Sequence, residues 1–348
     1  MRAVTVVPLK ANSVDLTDLP EPPAEDGPVL VKTRAVGVCG TDIEIIAGDY
    51  GWAPPGEDRL ALGHESLGEV LEAPAGSGFA RGDLVVGIVR RPDPEPCVNC
   101  AVGEWDMCRN GNYTEWGIKG HHGYARERYR ITPEFLVKVA PALGDLGVLL
   151  EPTTVVAKAW DHICRIGART KWEPATVLVT GAGPIGLLAS LLARQAGLEV
   201  HVLDQVTSGE KPELVAALGA TYHHGSVAST GIAPDIVVEC TGVGQLVFDA
   251  MDQMAANGVL CLTGVSSKGR SLGIDAGELN RHMVLENDVV FGSVNANRSH
   301  YEAGAAALAK ADPAWLGRLI SRRVRVENWR EAYQRQPGDV KVVLQFSS

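Results

Sequence analysis

Aromatic residues are scarce in this 348-residue chain, at 5%, and no long Lys/Arg block interrupts it. Acidic side chains outnumber basic ones, 42 to 32, for a formal net charge of −10, which argues against a surface that holds nucleic acid or anionic lipid. Cysteine is thin and odd in number: Cys39, Cys97, Cys100, Cys108, Cys164, Cys240 and Cys261. Three of the seven fall within twelve residues, so metal ligation in a reducing compartment is expected rather than a disulfide framework. The opening residues show no apolar h-region followed by a cleavage site, and a cytoplasmic location is expected. The long uncharged run, Ala175 to Ala193, carries glycines and a proline at its middle, a break that lipid would leave unsatisfied. No internal repeat or low-complexity segment is evident. With 45% hydrophobic and 21% charged residues, the composition is that of a soluble globular protein, and its length fits two domains.

The two parts are written differently. Residues 1–155 carry short apolar runs, such as Val29–Val31 and Leu84–Val89, between Gly/Pro-rich stretches, the pattern of a β-rich domain. Residues 156–295 alternate apolar runs with helical segments. The runs are Val177–Thr180, Glu199–Leu203, Asp235–Glu239, Val259–Thr263 and Val289–Val294; the helices are expected over Ile185–Ala196, Pro212–Leu218 and Gly244–Ala256. Strands apolar almost throughout predict an α/β fold, a parallel sheet covered on both faces. Residues 296–348 return to mixed composition, with Val340–Phe346 expected as a strand that rejoins the first domain. Lys158, Asp161 and His162 read as a solvated helix face, and His223-His224 as a loop cap.

After the run ending at Thr180 comes Gly181-Ala182-Gly183-Pro184-Ile185-Gly186, and then an apolar helix. The tight turn needs Gly181, a pyrophosphate needs room at Gly183, and close helix–strand packing needs Gly186. Amides at the helix start then face the phosphates. Asp204 ends the second strand, where a carboxylate can accept both ribose hydroxyls and repel a 2′-phosphate. Gln205 follows it instead of arginine, so NAD is favoured over NADP. The strand ends at Thr241, Thr263 and Val265 would line the same crevice. Cys240 and Cys261 read as small core residues.

Two candidate metal sites stand in the β-rich part. Cys39, in Gly37-Val38-Cys39-Gly40-Thr41-Asp42, and His64, in Gly63-His64-Glu65, are good zinc ligand types. His64 and Glu65 would face opposite ways on a regular strand, so the backbone is irregular there, or Glu65 supports the site indirectly, or it alternates with water at the metal. Glu151 can add an oxygen. The second candidate is Cys97, Cys100 and Cys108, with Asp93 to complete a four-ligand structural zinc.

Taken together, Cys39 in a GVCGTD context, the GHE triplet, the cysteine lobe and the later glycine-rich turn resemble the zinc-dependent medium-chain alcohol dehydrogenase family, along the whole chain. The segment Arg109 to Arg126, the Leu150-Glu151-Pro152 turn and Phe291 to Asn295 look closer still to the glucose 1-dehydrogenase branch, known from archaea and some bacteria. The resemblance implies a GroES-like catalytic domain and a Rossmann domain, with Cys39, His64, Glu65 and Glu151 around a catalytic zinc. It gives Thr41 a proton-relay position and sets Glu115 and Asn295 on sugar hydroxyls, Asn295 also beside the cofactor. A homodimer or homotetramer is implied as well. Pro94 stands where that family has the first of four lobe cysteines, a departure that touches the structural zinc. Asp42, His121 and His122 are further polar partners for a hydroxylated substrate. The expected reaction is oxidation of an aldose, D-glucose first, at its anomeric carbon by NAD, with NADP as the second cofactor. The rivals are a zinc polyol or secondary-alcohol dehydrogenase, a zinc-free quinone or enone reductase, and a nucleotide-binding protein without activity.

Overall fold

The computed structural model describes residues 1–266 and 271–346. The chain divides into two compact units, residues 1–154 with 295–348, and residues 155–294. In the second, six strands lie in the order Thr221–His223, Glu199–Leu203, Thr176–Thr180, Ile236–Glu239, Val259–Leu262 and Val289–Gly292, all paired in parallel. Val177, Leu178, Val179, Val237 and Leu260 have no exposed surface. A strand flanked by helices on both faces can bury every residue, so the apolar runs do not alternate. The α/β class and the parallel sheet agree with the sequence reading, and each predicted strand and helix is found with ends shifted by up to a few residues.

Two features of that unit depart from the sequence reading. His223 is part of the edge strand Thr221–His223 instead of a loop cap, and its ring stacks on His201 across the strand pair. Lys158 is only 1% exposed, and its Nζ donates to the Val294 carbonyl at 2.9 Å. A lysine at helical spacing was read as solvated because its acceptor lies 136 residues away.

The first unit is built on a sheet in the order Leu136–Lys138, Leu84–Gly87, Glu65–Glu72, Val29–Gly37, Lys341–Gln345 and Ile320–Arg325, with Arg128–Ile131 also paired to Val29–Gly37. The strand Lys341–Gln345 runs antiparallel to Val29–Gly37, so the C-terminal segment is built into the sheet that carries the N-terminal motifs. A small sheet of Arg90–Arg91, Thr114–Trp116 and Gly120–His121 completes the frame of the candidate site. Among the described residues, no helix is long and apolar enough to cross a membrane.

Candidate functional site

Cys39 is the N-cap of the helix Gly40–Ala47, and His64 immediately precedes the strand Glu65–Glu72. Ligand atoms of Cys39, His64 and Glu65 all lie within 4.8 Å of one another, with His64 and Glu65 buried. The adjacent His64 and Glu65 can share a site because the backbone is not a regular strand there: Gly63 has φ +85°, a conformation that glycine adopts at no steric cost. Asp42 ties the two chain segments together. Its Oδ2 accepts the Cys39 amide at 2.9 Å, its Oδ1 accepts the Gly63 amide at 3.3 Å, and Oδ1 lies 3.6 Å from His64 Nδ1. At 1% exposed, Asp42 is turned to these two segments, whereas the sequence offered it as a partner for substrate hydroxyls. Thr41 Oγ1 lies 3.9 Å from Cys39 Sγ.

The charges fit a cation at this place. Burial opposes a charge on His64, but the Asp42 carboxylate and the Cys39 sulfur outweigh it and hold the imidazole pKa well above its ordinary value. Glu151, on the first turn of the helix Leu150–Gly167, is 8% exposed. Burial pushes its pKa up to about 7, against the pull of His64 and with the help of Glu65. Glu151 is not in the converging group, but it lies near enough to feel the charges of His64 and Glu65, and sulfur, imidazole and carboxylate are donor types that suit zinc. With Nδ1 turned to Asp42, the histidine is oriented to offer its other nitrogen to a metal. Glu65 itself is claimed: Lys341 Nζ contacts both carboxylate oxygens, at 2.7 and 2.6 Å, and the Val38 carbonyl at 3.1 Å. Sequence reading missed Lys341, whose only signal was one cation inside an apolar terminal strand.

Glu115 and Asn295 meet. Asn295 has φ +63°, and its Nδ2 donates to Glu115 Oε1 at 2.7 Å. Arg90 donates to the same oxygen from Nε and Nη2, at 3.1 and 2.9 Å. Among the described residues, no donor meets Glu115 Oε2. Arg90, absent from the sequence candidates, is locked in turn by the Asp106 carbonyl and by the Tyr113 ring 3.8 Å away.

In the cysteine lobe the sulfurs of Cys97, Cys100 and Cys108 converge within 4.8 Å, and Asp93 is not in that group. Its Oδ1 accepts the Glu95 amide at 2.8 Å, while its buried Oδ2 has no hydrogen-bond partner among the described residues.

In the second unit, Gly183 is the N-cap of the helix Pro184–Gln195, with Pro184, Ile185 and Gly186 in its first turn. Gly181 donates its amide to the Leu203 carbonyl at 2.7 Å, which fixes the turn against the next strand. Asp204 Oδ2 accepts the Ala182 amide at 2.7 Å, and Lys211 Nζ at 3.1 Å. Burial raises the Asp204 pKa, and the Ala182 and Val206 amides with Lys211 more than offset it, holding it below the ordinary value. Gln205 and Val265 are exposed. Glu239, fully buried, gathers the neighbouring strand ends: it accepts the amides of Thr241 and Gly242, the Thr241 hydroxyl and the Thr180 hydroxyl, while its carbonyl accepts from Thr263. Sequence reading saw it only as the end of an apolar run. A Cβ at Gly186 would lie 1.8 Å from the Gly181 carbonyl oxygen. Gly186→Ala is therefore expected to cost about 1–3 kcal/mol of stability, the range for overpacking, and to weaken dinucleotide binding by tenfold or more. A fluorescence titration with NADH checks it.

Two family models match the chain: "Glucose dehydrogenase C-terminus" over residues 144–346 and "Alcohol dehydrogenase GroES-like domain" over residues 25–141. Glucose 1-dehydrogenase of Methanocella arvoryzae is 40% identical over 361 residues, all of both chains. Glucose 1-dehydrogenase 2 of Vulcanisaeta moutnovskia is 43% identical over 352 residues, 99% of each chain. The structure of Haloferax mediterranei glucose dehydrogenase in complex with NADP, Zn and gluconolactone superposes with a TM-score of 0.91, at 31% identity and full coverage of both chains.

Proposed function

The chain belongs to the zinc-dependent medium-chain dehydrogenases, close to the glucose dehydrogenases, and on that premise we propose that it oxidises D-glucose at C1 to the lactone with NAD as the preferred hydride acceptor. The observation that carries the reading is the convergence of Cys39 with the buried His64 and Glu65 in a chain that aligns end to end with glucose 1-dehydrogenases. Residues 1–155 with 296–348 are the catalytic domain in this reading, and residues 156–295 the dinucleotide domain. Cys39, His64 and Glu151 hold the zinc, with Glu65 kept beside it by Lys341. Zinc, when bound, supplies a Lewis acid that lowers the pKa of a hydroxyl by several units.

The chain's own residues do the rest. Thr41 Oγ1 takes the proton of the anomeric hydroxyl as the C1 hydride leaves for the nicotinamide, and passes it toward solvent. Glu115 accepts sugar hydroxyls through Oε2, while the three hydrogen bonds from Arg90 and Asn295 to Oε1 fix the carboxylate in place. The turn Gly181 to Gly186 takes the pyrophosphate, Asp204 and Gln205 face the adenosine ribose, and Thr241, Thr263 and Val265 line the crevice. Lys211 beside Asp204 partly offsets the charge that would repel a 2′-phosphate, which makes NADP the second cofactor. The sulfurs of Cys97, Cys100 and Cys108 hold a structural zinc, for which Asp93 must turn to become the fourth ligand. The active species is a cytoplasmic homodimer or homotetramer.

Steady-state assays with NAD on glucose, galactose, xylose, sorbitol and ethanol test the reading. Glucose is expected to give the highest kcat/KM, and an equal or higher value for sorbitol or ethanol overturns the sugar assignment. Glu115→Ala is expected to lower kcat/KM for glucose by about 10- to 100-fold, the worth of a hydrogen bond to a charged group, with ethanol turnover little changed.

A further inference from the structure

Within the first unit a cavity of about 310 Å3 lies between the proline-rich segment Leu19–Pro23 and Trp116, His121 and Arg126. None of Cys39, Thr41, His64, Glu65, Glu115, Glu151 and Asn295 lines it. Arg126 is 3% exposed, yet among the described residues no hydrogen bond or ion pair holds its guanidinium, and its buried Nε lacks a partner. A cation taken out of water is costly unless an acceptor meets it. Burial brings its pKa down to about 10 although Asp26 pulls the other way, so the nearby carboxylate does not make up the loss.

The remaining wall groups narrow the ligand. His121 is lowered to about 4 by burial and by Arg91 and Arg126, and is a neutral imidazole at neutral pH. His122 is occupied, accepting the Ala61 amide at 3.1 Å and meeting Glu57 at 2.8 Å. Glu21 is paired with Arg128. Asp26 is half-buried, and burial raises its pKa above the ordinary value. The wall thus holds the Arg126 guanidinium, which faces the Trp116 ring at 5.4 Å, together with the carboxylates of Asp26 and Glu57, which accept from hydroxyls and oppose a doubly charged phosphate more than a singly charged carboxylate. The volume equals about ten waters at ~30 Å3 each, room for a molecule of about a dozen heavy atoms.

We propose that this cavity binds a small hydroxylated monocarboxylate of the aldonate class, its carboxylate on Arg126 and its hydroxyls on Asp26 and Glu57. The proposal is independent of the reaction assigned above.

Calorimetric titration of the full chain with sodium gluconate tests it, with sodium sulfate at equal ionic strength as the control. Saturable binding at one site per chain is expected, unchanged in His64→Ala, which removes a ligand of the metal site. Binding should weaken about 10- to 100-fold in Arg126→Gln and about tenfold in Arg126→Lys, the loss of a bidentate charge-assisted contact. Melting curves verify that the variants fold, and a co-crystal of the wild type with gluconate locates the carboxylate without any substitution. The proposal is overturned if gluconate does not bind, if sulfate binds as well, if binding disappears in His64→Ala, or if the co-crystal shows no gluconate carboxylate at Arg126.

Discussion

His64→Ala is expected to leave the chain folded, able to bind NADH, and almost inactive. The imidazole is one of three side chains, with Cys39 and Glu65, whose ligand atoms lie within 4.8 Å of one another, and the Asp42 carboxylate lies 3.6 Å from its Nδ1. Removing it leaves the Cys39 sulfur and carboxylates, with no nitrogen donor, so zinc should dialyse away at micromolar chelator. Loss of the Lewis acid should reduce kcat/KM by about three orders of magnitude or more, since several kcal/mol of charge stabilisation go with it at ~1.4 kcal/mol per decade. Asp42→Asn should be milder, about 10- to 100-fold in metal affinity, because it loosens ligand orientation without deleting a ligand. Emission analysis of metal content alongside NADH affinity separates the two effects. An active His64→Ala protein with a full complement of zinc would remove His64 from the metal site.

Much of this was legible in the residues because the chemistry sits in contiguous motifs. Gly181 to Gly186 follows an apolar strand and opens a helix, and the Cys39 and His64 motifs each combine a zinc-ligand residue type with nearby glycine. Groups that act through a distant partner gave no such signal. Lys341 serves Glu65 across 276 positions, and Asn295 reaches Glu115 across 180, a pair found only through a family resemblance. Lys158 read as solvated and Arg90 drew no notice, since nothing in a linear pattern tells a buried cation with a distant acceptor from a solvated one. Asp93 shows how a local contact can share a residue: a backbone amide two residues on takes Oδ1, as aspartate side chains in turns commonly allow, while Oδ2 stays buried with no hydrogen-bond partner among the described residues.

The largest stability effect is expected at Lys341. Its ammonium is 3% exposed and Glu65 is 2% exposed, and they touch at 2.6 Å inside the sheet. Burial opposes the charge on Lys341, but Glu65 and Cys39 more than restore it, so the lysine stays protonated. Lys341→Met keeps the stem volume and strands the Glu65 carboxylate without a counter-charge. Breaking a buried pair from one side costs about 3–5 kcal/mol, and denaturant unfolding of the metal-free protein should show a loss of that size. Replacing both partners, Lys341→Met with Glu65→Gln, should recover most of it, because no unpaired charge then remains in the sheet. Zinc should narrow the gap for the single variant, since a freed Glu65 can turn to the cation and binding to the native state alone adds stability. A Lys341→Met protein within about 1 kcal/mol of the wild type without metal would mean that water reaches Glu65 and that the pair carries little.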